Sequence, residues 1–170
     1  MPLLKTVLSI VLLIAVVTDL SQRRIPNLLT FPAMLFGLAV HGYASGVDGL
    51  LFSAGGLTLG LGLLLFFYLF GMMGAGDVKL MGAVGSFLGP MGVFQAFLFT
   101  ALVGGLYGLL VLARKGQLFS FFRRLGLSFY LSIAKRKPML LPDEEAKELP
   151  VLCYGLAIAV GTTVSMFYRF

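Results

Sequence analysis

The chain has 170 residues, of which 59% are hydrophobic and only 12% charged, with a mean hydropathy of +1.00. That leaves too little polar surface to cover a water-soluble domain, so the chain reads as an integral membrane protein. One Cys and one His exclude an intramolecular disulfide, a Cys-rich zinc site and a multi-histidine metal centre, and in so apolar a chain the net charge of +6 points to anionic lipid headgroups rather than nucleic acid.

A helix needs about 20 mostly apolar residues to cross a bilayer. Turn and charge signals divide the chain into six such runs, at residues 3–19, 28–43, 50–70, 78–89, 91–112 and 151–168. The expected fold is therefore all-α: one polytopic membrane-embedded domain, 1–170, with six transmembrane helices. The first run could be read as a secretory signal peptide, but no small-residue cleavage site follows it. It ends at Asp19, and the connection SQRRIPN leads into the second run, where Pro26 and Asn27 start the helix and Pro supplies a pre-set φ. His41 falls near the outer end of that run and reads as a packing or interfacial residue. Asp48 sits in the turn YASGVDGL, where Asp beside Gly is ordinary turn chemistry.

The third run carries Gly55, Gly56, Gly60 and Gly62, and the fifth Gly104, Gly105 and Gly108. Small residues four apart let helices approach closely, so Gly56-xxx-Gly60 and Gly104-xxx-Gly108 read as packing faces; they permit dimerisation without requiring it. The fourth run is short, about 18 Å against a hydrocarbon core of about 30 Å, which makes it tilted, extended into its flanks, or re-entrant. After the fifth run comes a cytoplasmic loop at about 113–150. Its first part, QLFSFFRRLGLSFYLSIAKRK, reads as an interfacial amphipathic helix, and Arg123 and Arg124 argue against a further crossing. Its second part, PMLLPDEEAKELP, reads as a solvated loop in which Asp143, Glu144, Glu145 and Glu148 either confer solubility or attract a basic peptide.

Lys and Arg accumulate on the cytoplasmic side of membranes. With the N-terminus outside, eleven of the basic residues fall on inner connections and two, Lys5 and Arg169, outside. Removing the fourth crossing would put the largest basic loop outside, so that crossing is retained and both termini are external.

Setting the loop acids and Asp48 aside leaves Asp19, ending the first run, and Asp77, just ahead of the fourth. They are 58 positions apart, yet six crossings put both at the cytoplasmic membrane edge, where an acid is costly unless water, a partner or a function holds it. Two facing carboxylates cannot both ionise cheaply and hold one proton between them, as in an aspartic protease. One can take a proton from an attacking water while the other donates a hydrogen bond to the peptide carbonyl, with no metal or cofactor. Gly74 and Gly76 before Asp77 give a permissive backbone that an extended substrate could approach; the plainer reading makes Asp77 the N-cap of a glycine-rich helix start.

TDLSQRRIPN at 18–27, followed after a hydrophobic hairpin by GAGDVKL at 74–80, resembles the type IV prepilin peptidases, membrane aspartic proteases of the GxGD class. The resemblance covers the chain as a six-helix core and implies that Asp19 and Asp77 are the catalytic aspartates. It also implies that the substrates are pilin and pseudopilin precursors, cut at their short basic leaders on the cytoplasmic side of the bacterial inner membrane. Larger members carry a zinc-binding cytoplasmic region with paired CxxC motifs and also N-methylate the product. This chain has only Cys153 and a short first connection, so it resembles the form found in tight-adherence (Flp-type) pilus systems, with no methyltransferase activity expected. Arg23, Arg24 and Lys79 could neutralise lipid phosphates, favour an ionised aspartate, pair with an acidic residue of the mature pilin, or simply anchor topology. Asn27 could touch substrate.

The competing readings are a proton- or cation-coupled transporter using the same two aspartates, a rhomboid-like serine protease built on Ser86, and a non-catalytic assembly subunit. The first lacks mid-span charges, the second lacks a GxSG context and a nearby His, and the third would tolerate loss of either Asp.

Overall fold

In the computed structural model, residues 2–69, 73–114, 116 and 154–167 are described. Among them the chain is helical with no strand: α1 is Pro2–Gln22, α2 Asn27–Leu69, α3 Ala75–Arg114 and α4 Tyr154–Phe167. The expected interfacial helix at 117–137, the acids Asp143, Glu144, Glu145 and Glu148, and Cys153 lie outside the described residues. Three helices are long and apolar enough to cross a membrane, within Leu3–Gln22, Asn27–Leu69 and Ala75–Val111. Their outward faces carry Leu, Ile, Phe and Val, as a lipid-facing surface requires.

α2 and α3 are too long for one crossing each, and both are interrupted at a glycine with left-handed backbone, Gly46 (φ 61°) and Gly89 (φ 73°). Both double back there. A Cβ built on Gly82 would lie 2.7 Å from Leu61 Cδ2 and 3.2 Å from Met34 Cε. Along one straight helix residues 34 and 61 would stand about 40 Å apart, so 27–45 and 47–69 are antiparallel neighbours. By the same logic Gly60 meets both the Met81 carbonyl and the Val93 side chain, which folds 90–104 back beside 75–88. Glycine is required where backbones touch: a Cβ on Gly56 would run into the Gly85 carbonyl oxygen, and one on Gly85 into the Gly56 carbonyl oxygen.

Contacts divide the chain into two units, Met1–Gly104 with Cys153–Phe170, and Gly105–Leu152. In the first, α1 and α4 run antiparallel. Gly155 meets Asp19 at one end, and at the other Lys5 Nζ donates to the Met166 carbonyl at 3.3 Å, a cation on the last turn of α4. Leu8, Leu12, Ala15, Leu64, Leu80, Met81, Val84 and Ile158 form the core that fixes these helices around the polar end carrying Asp19. In the second unit, nothing among the described residues lies within 4 Å of a Cβ built on Gly105 or Gly108. Of the expected Gly104-xxx-Gly108 packing face, Gly104 meets a described neighbour, at 3.6 Å from the Ala157 side chain.

Candidate active site

Asp19 lies three residues before the end of α1 and is 8% exposed. Its backbone carbonyl accepts the N–H of Arg23 at 2.8 Å, and Arg23 sits at φ 51°, the left-handed stop that ends a helix. Its carboxylate Oδ2 accepts the N–H of Gly155, in the first turn of α4, at 3.1 Å.

Asp77 lies in the first turn of α3 and is 9% exposed. Its N–H donates to the Gly74 carbonyl at 3.1 Å, and its Oδ2 accepts the N–H of Gly74 at 3.2 Å. The second bond is the N3 half of a capping box, with Asp in the place usual for Glu or Gln; the return bond is taken by the Gly74 backbone carbonyl, since glycine has no side chain to accept it. Gly74 is therefore the N-cap, and Asp77 is the third helical residue rather than the cap itself. The helix begins at Ala75, a turn earlier than the apolar run alone indicated, because the box satisfies a free donor that apolar residues could not.

Asp19 and Asp77 lie within electrostatic reach of each other, and Tyr154, next to Gly155, lies within reach of Asp77. Among the described residues the acids are Asp19, Asp48 and Asp77, and only the exposed Asp48 stands apart from this end. Each member of the pair commits Oδ2 to a backbone amide, and neither makes an ion pair with a described basic residue. Two buried carboxylates so held can divide the work of proton acceptor and hydrogen-bond donor around one water.

The segment 23–26 ties the two aspartates together. Ile25 is buried, and a Cβ on Gly76 would lie 3.1 Å from Ile25 Cβ and 3.4 Å from its nitrogen. Gly76 is thus taken up by the close approach of this connection rather than left open for a substrate. Gly74 is exposed, and among the described residues a Cβ there would meet only Asp77 Oδ2 and the Gly76 nitrogen within 4 Å. Pro26 supplies the carbonyl that accepts the N–H of Leu29 at 3.0 Å, which makes it the cap preceding Asn27. Lys79 Nζ donates to Asn27 Oδ1 at 2.8 Å and sits 5.3 Å from the Phe31 ring centroid. It clasps the starts of α2 and α3 together instead of pairing with an aspartate. Arg23 and Arg24 are exposed.

His41 and Ser86 stand away from the pair. His41 Nε2 bonds the Phe87 carbonyl at 3.1 Å beside the Phe52 ring, and Ser86 is fully buried with its hydroxyl on the Ala83 carbonyl, which removes it as a nucleophile. The residues that sequence reasoning missed are Gly155 and Tyr154. Their one signal was that the last apolar run begins at the same membrane end as the aspartates.

Fold and site together define an all-helical membrane protein with two buried carboxylates gathered at one end of its apolar helices. The chain belongs to the type IV leader peptidase family, whose model matches residues 6–109, and is accordingly a peptidase with a general role on prepilin leaders. No curated protein and no solved structure matches it.

Proposed function

We propose that the chain is an aspartic endopeptidase that removes the basic leader of Flp-like prepilins and pseudopilins at the cytoplasmic edge of the bacterial inner membrane, with Asp19 and Asp77 as its catalytic pair. The observation that carries this reading is the burial of two acids, 58 positions apart, within electrostatic reach at one end of the bundle, each oriented by a backbone amide. The ionised member takes a proton from water as the water oxygen bonds to the scissile carbonyl carbon, while the protonated member donates to the carbonyl oxygen. The C–N bond then breaks, and the amine leaves with a proton returned from the pair.

The doubling back of α2 at Gly46 and of α3 at Gly89 supports six crossings with both termini outside. Arg23, Arg24 and Lys79 at the end that carries the pair support a cytoplasmic site beside anionic headgroups. A basic leader would be repelled by these cations and drawn to Asp143, Glu144, Glu145 and Glu148. No methyl transfer is assigned, since the connection at 23–26 has no room for a further domain.

Co-expression with a precursor pilin, scored by gel mobility, tests the reading. Asp19→Asn and Asp77→Asn should each reduce cleavage by about a hundredfold to ten-thousandfold. Processing that survives either change would remove the pair from catalysis. Mass spectrometry should find the product N-terminus unmethylated when this chain is the sole enzyme.

A further inference from the structure

α4 lies outside the segment that matches the family model, yet it supplies the amide that holds Asp19. The fit there is close. A Cβ on Gly155 would stand 2.7 Å from Asp19 Oδ2, 3.1 Å from Cγ and 3.2 Å from Cβ, so any other residue would push the carboxylate aside. α4 has a second glycine under equal pressure: a Cβ on Gly161 would lie 2.5 Å from the Thr100 nitrogen. The two glycines differ in what they clear. Gly161 makes room for the backbone of another helix, whereas Gly155 makes room for a carboxylate and donates to it.

We propose that Gly155 is a positioning residue of the peptidase, its amide fixing Asp19 so that Oδ1 is turned toward the water and the scissile carbonyl. The inference rests on the catalytic assignment of Asp19 and extends the working site to the first turn of α4. A carboxylate swung aside by a new Cβ still leaves the rest of the substrate surface intact. The defect therefore belongs in the chemical step, where a misplacement of about 1 Å can cost about a hundredfold.

The test uses the full chain purified in lipid nanodiscs with a precursor pilin, comparing wild type, Gly155→Ala and Gly161→Ala for kcat, KM and thermal unfolding. Gly155→Ala should lower kcat by about a hundredfold with KM unchanged. Gly161→Ala should lower the unfolding temperature while the folded fraction keeps its kcat. Wild-type kcat in Gly155→Ala, or loss in proportion to unfolding as in Gly161→Ala, would overturn the proposal and leave the peptidase reading standing. A wild type that does not cleave, or cleavage by Asp19→Asn, would overturn the peptidase reading instead. Should Gly155→Ala fold poorly, the double variant with Asp19→Ala, which removes the oxygen the new methyl strikes, should regain folding; failure to do so would also overturn the proposal.

Discussion

Asp19 serves the molecule twice, through its side chain and through its backbone. Its carbonyl anchors the left-handed turn at Arg23, and that turn sends the chain toward Ile25 and the glycine beside Asp77. A non-glycine residue in this conformation gives up about 1–2 kcal/mol, and a β-branched one gives up more because its Cβ substituents crowd the carbonyl. Arg23→Val should therefore lower the thermal unfolding midpoint in detergent, whereas Arg23→Gly should hold it at or above wild type. Equal effects of the two changes would mean that the turn is not kept at positive φ. The aspartates themselves were legible because acids are scarce in so apolar a chain, and a rare polar residue at a membrane edge has few structural uses. Gly155 was not legible, since what it contributes is a backbone N–H, a group every residue but proline carries.

At the scale of the helix, the break in α3 shows how irregular backbone is tolerated among apolar residues. In a continuous helix the Ser86 carbonyl would accept from residue 90, but Pro90 has no N–H. Ser53 Oγ donates to that carbonyl at 2.7 Å, and His41 Nε2 takes the Phe87 carbonyl at 3.1 Å. Both replacements come from the doubled-back α2. Removing one leaves a buried acceptor unpaired, so Ser53→Ala should destabilise the protein by about 1–3 kcal/mol in an equilibrium unfolding titration. Gly56→Val should cost at least as much, because its side chain would occupy the place of the Gly85 backbone. Gly-Pro at 89–90 and the turn at 43–49 marked these breaks in the sequence, because turn chemistry is local. Which faces meet was hidden: Gly56-xxx-Gly60 and Gly104-xxx-Gly108 give the same pattern, yet among the described residues only the first has backbone against it at both glycines. A spacing records that a face can pack closely, and the identity of the partner lies elsewhere in the chain.

For the molecule as a whole, the side of the membrane proposed for the pair is argued from where charge collects. In the unit Met1–Gly104 with Cys153–Phe170, the described basic residues are Lys5, Arg23, Arg24 and Lys79. Three of these cluster at the end with Asp19 and Asp77, while Lys5 caps α4 at the other. The stretch 75–88 is about 21 Å long, short of the hydrocarbon core of about 30 Å. Such a shortfall is met by thinning the bilayer or by drawing water toward the helix end, and the end that carries Asp77 is the one a hydrolase needs wet. If basic residues mark the cytoplasmic side, Asp48 in the opposite turn must face out, and both Asp48 and Arg24 are exposed enough to be probed. In a Cys153→Ser background, Asp48→Cys should react with a membrane-impermeant maleimide in intact spheroplasts, whereas Arg24→Cys should react only after lysis. The reverse pattern would turn the aspartates outward and away from any leader still in the cytoplasm, so the labelling decides whether substrate and site share a compartment.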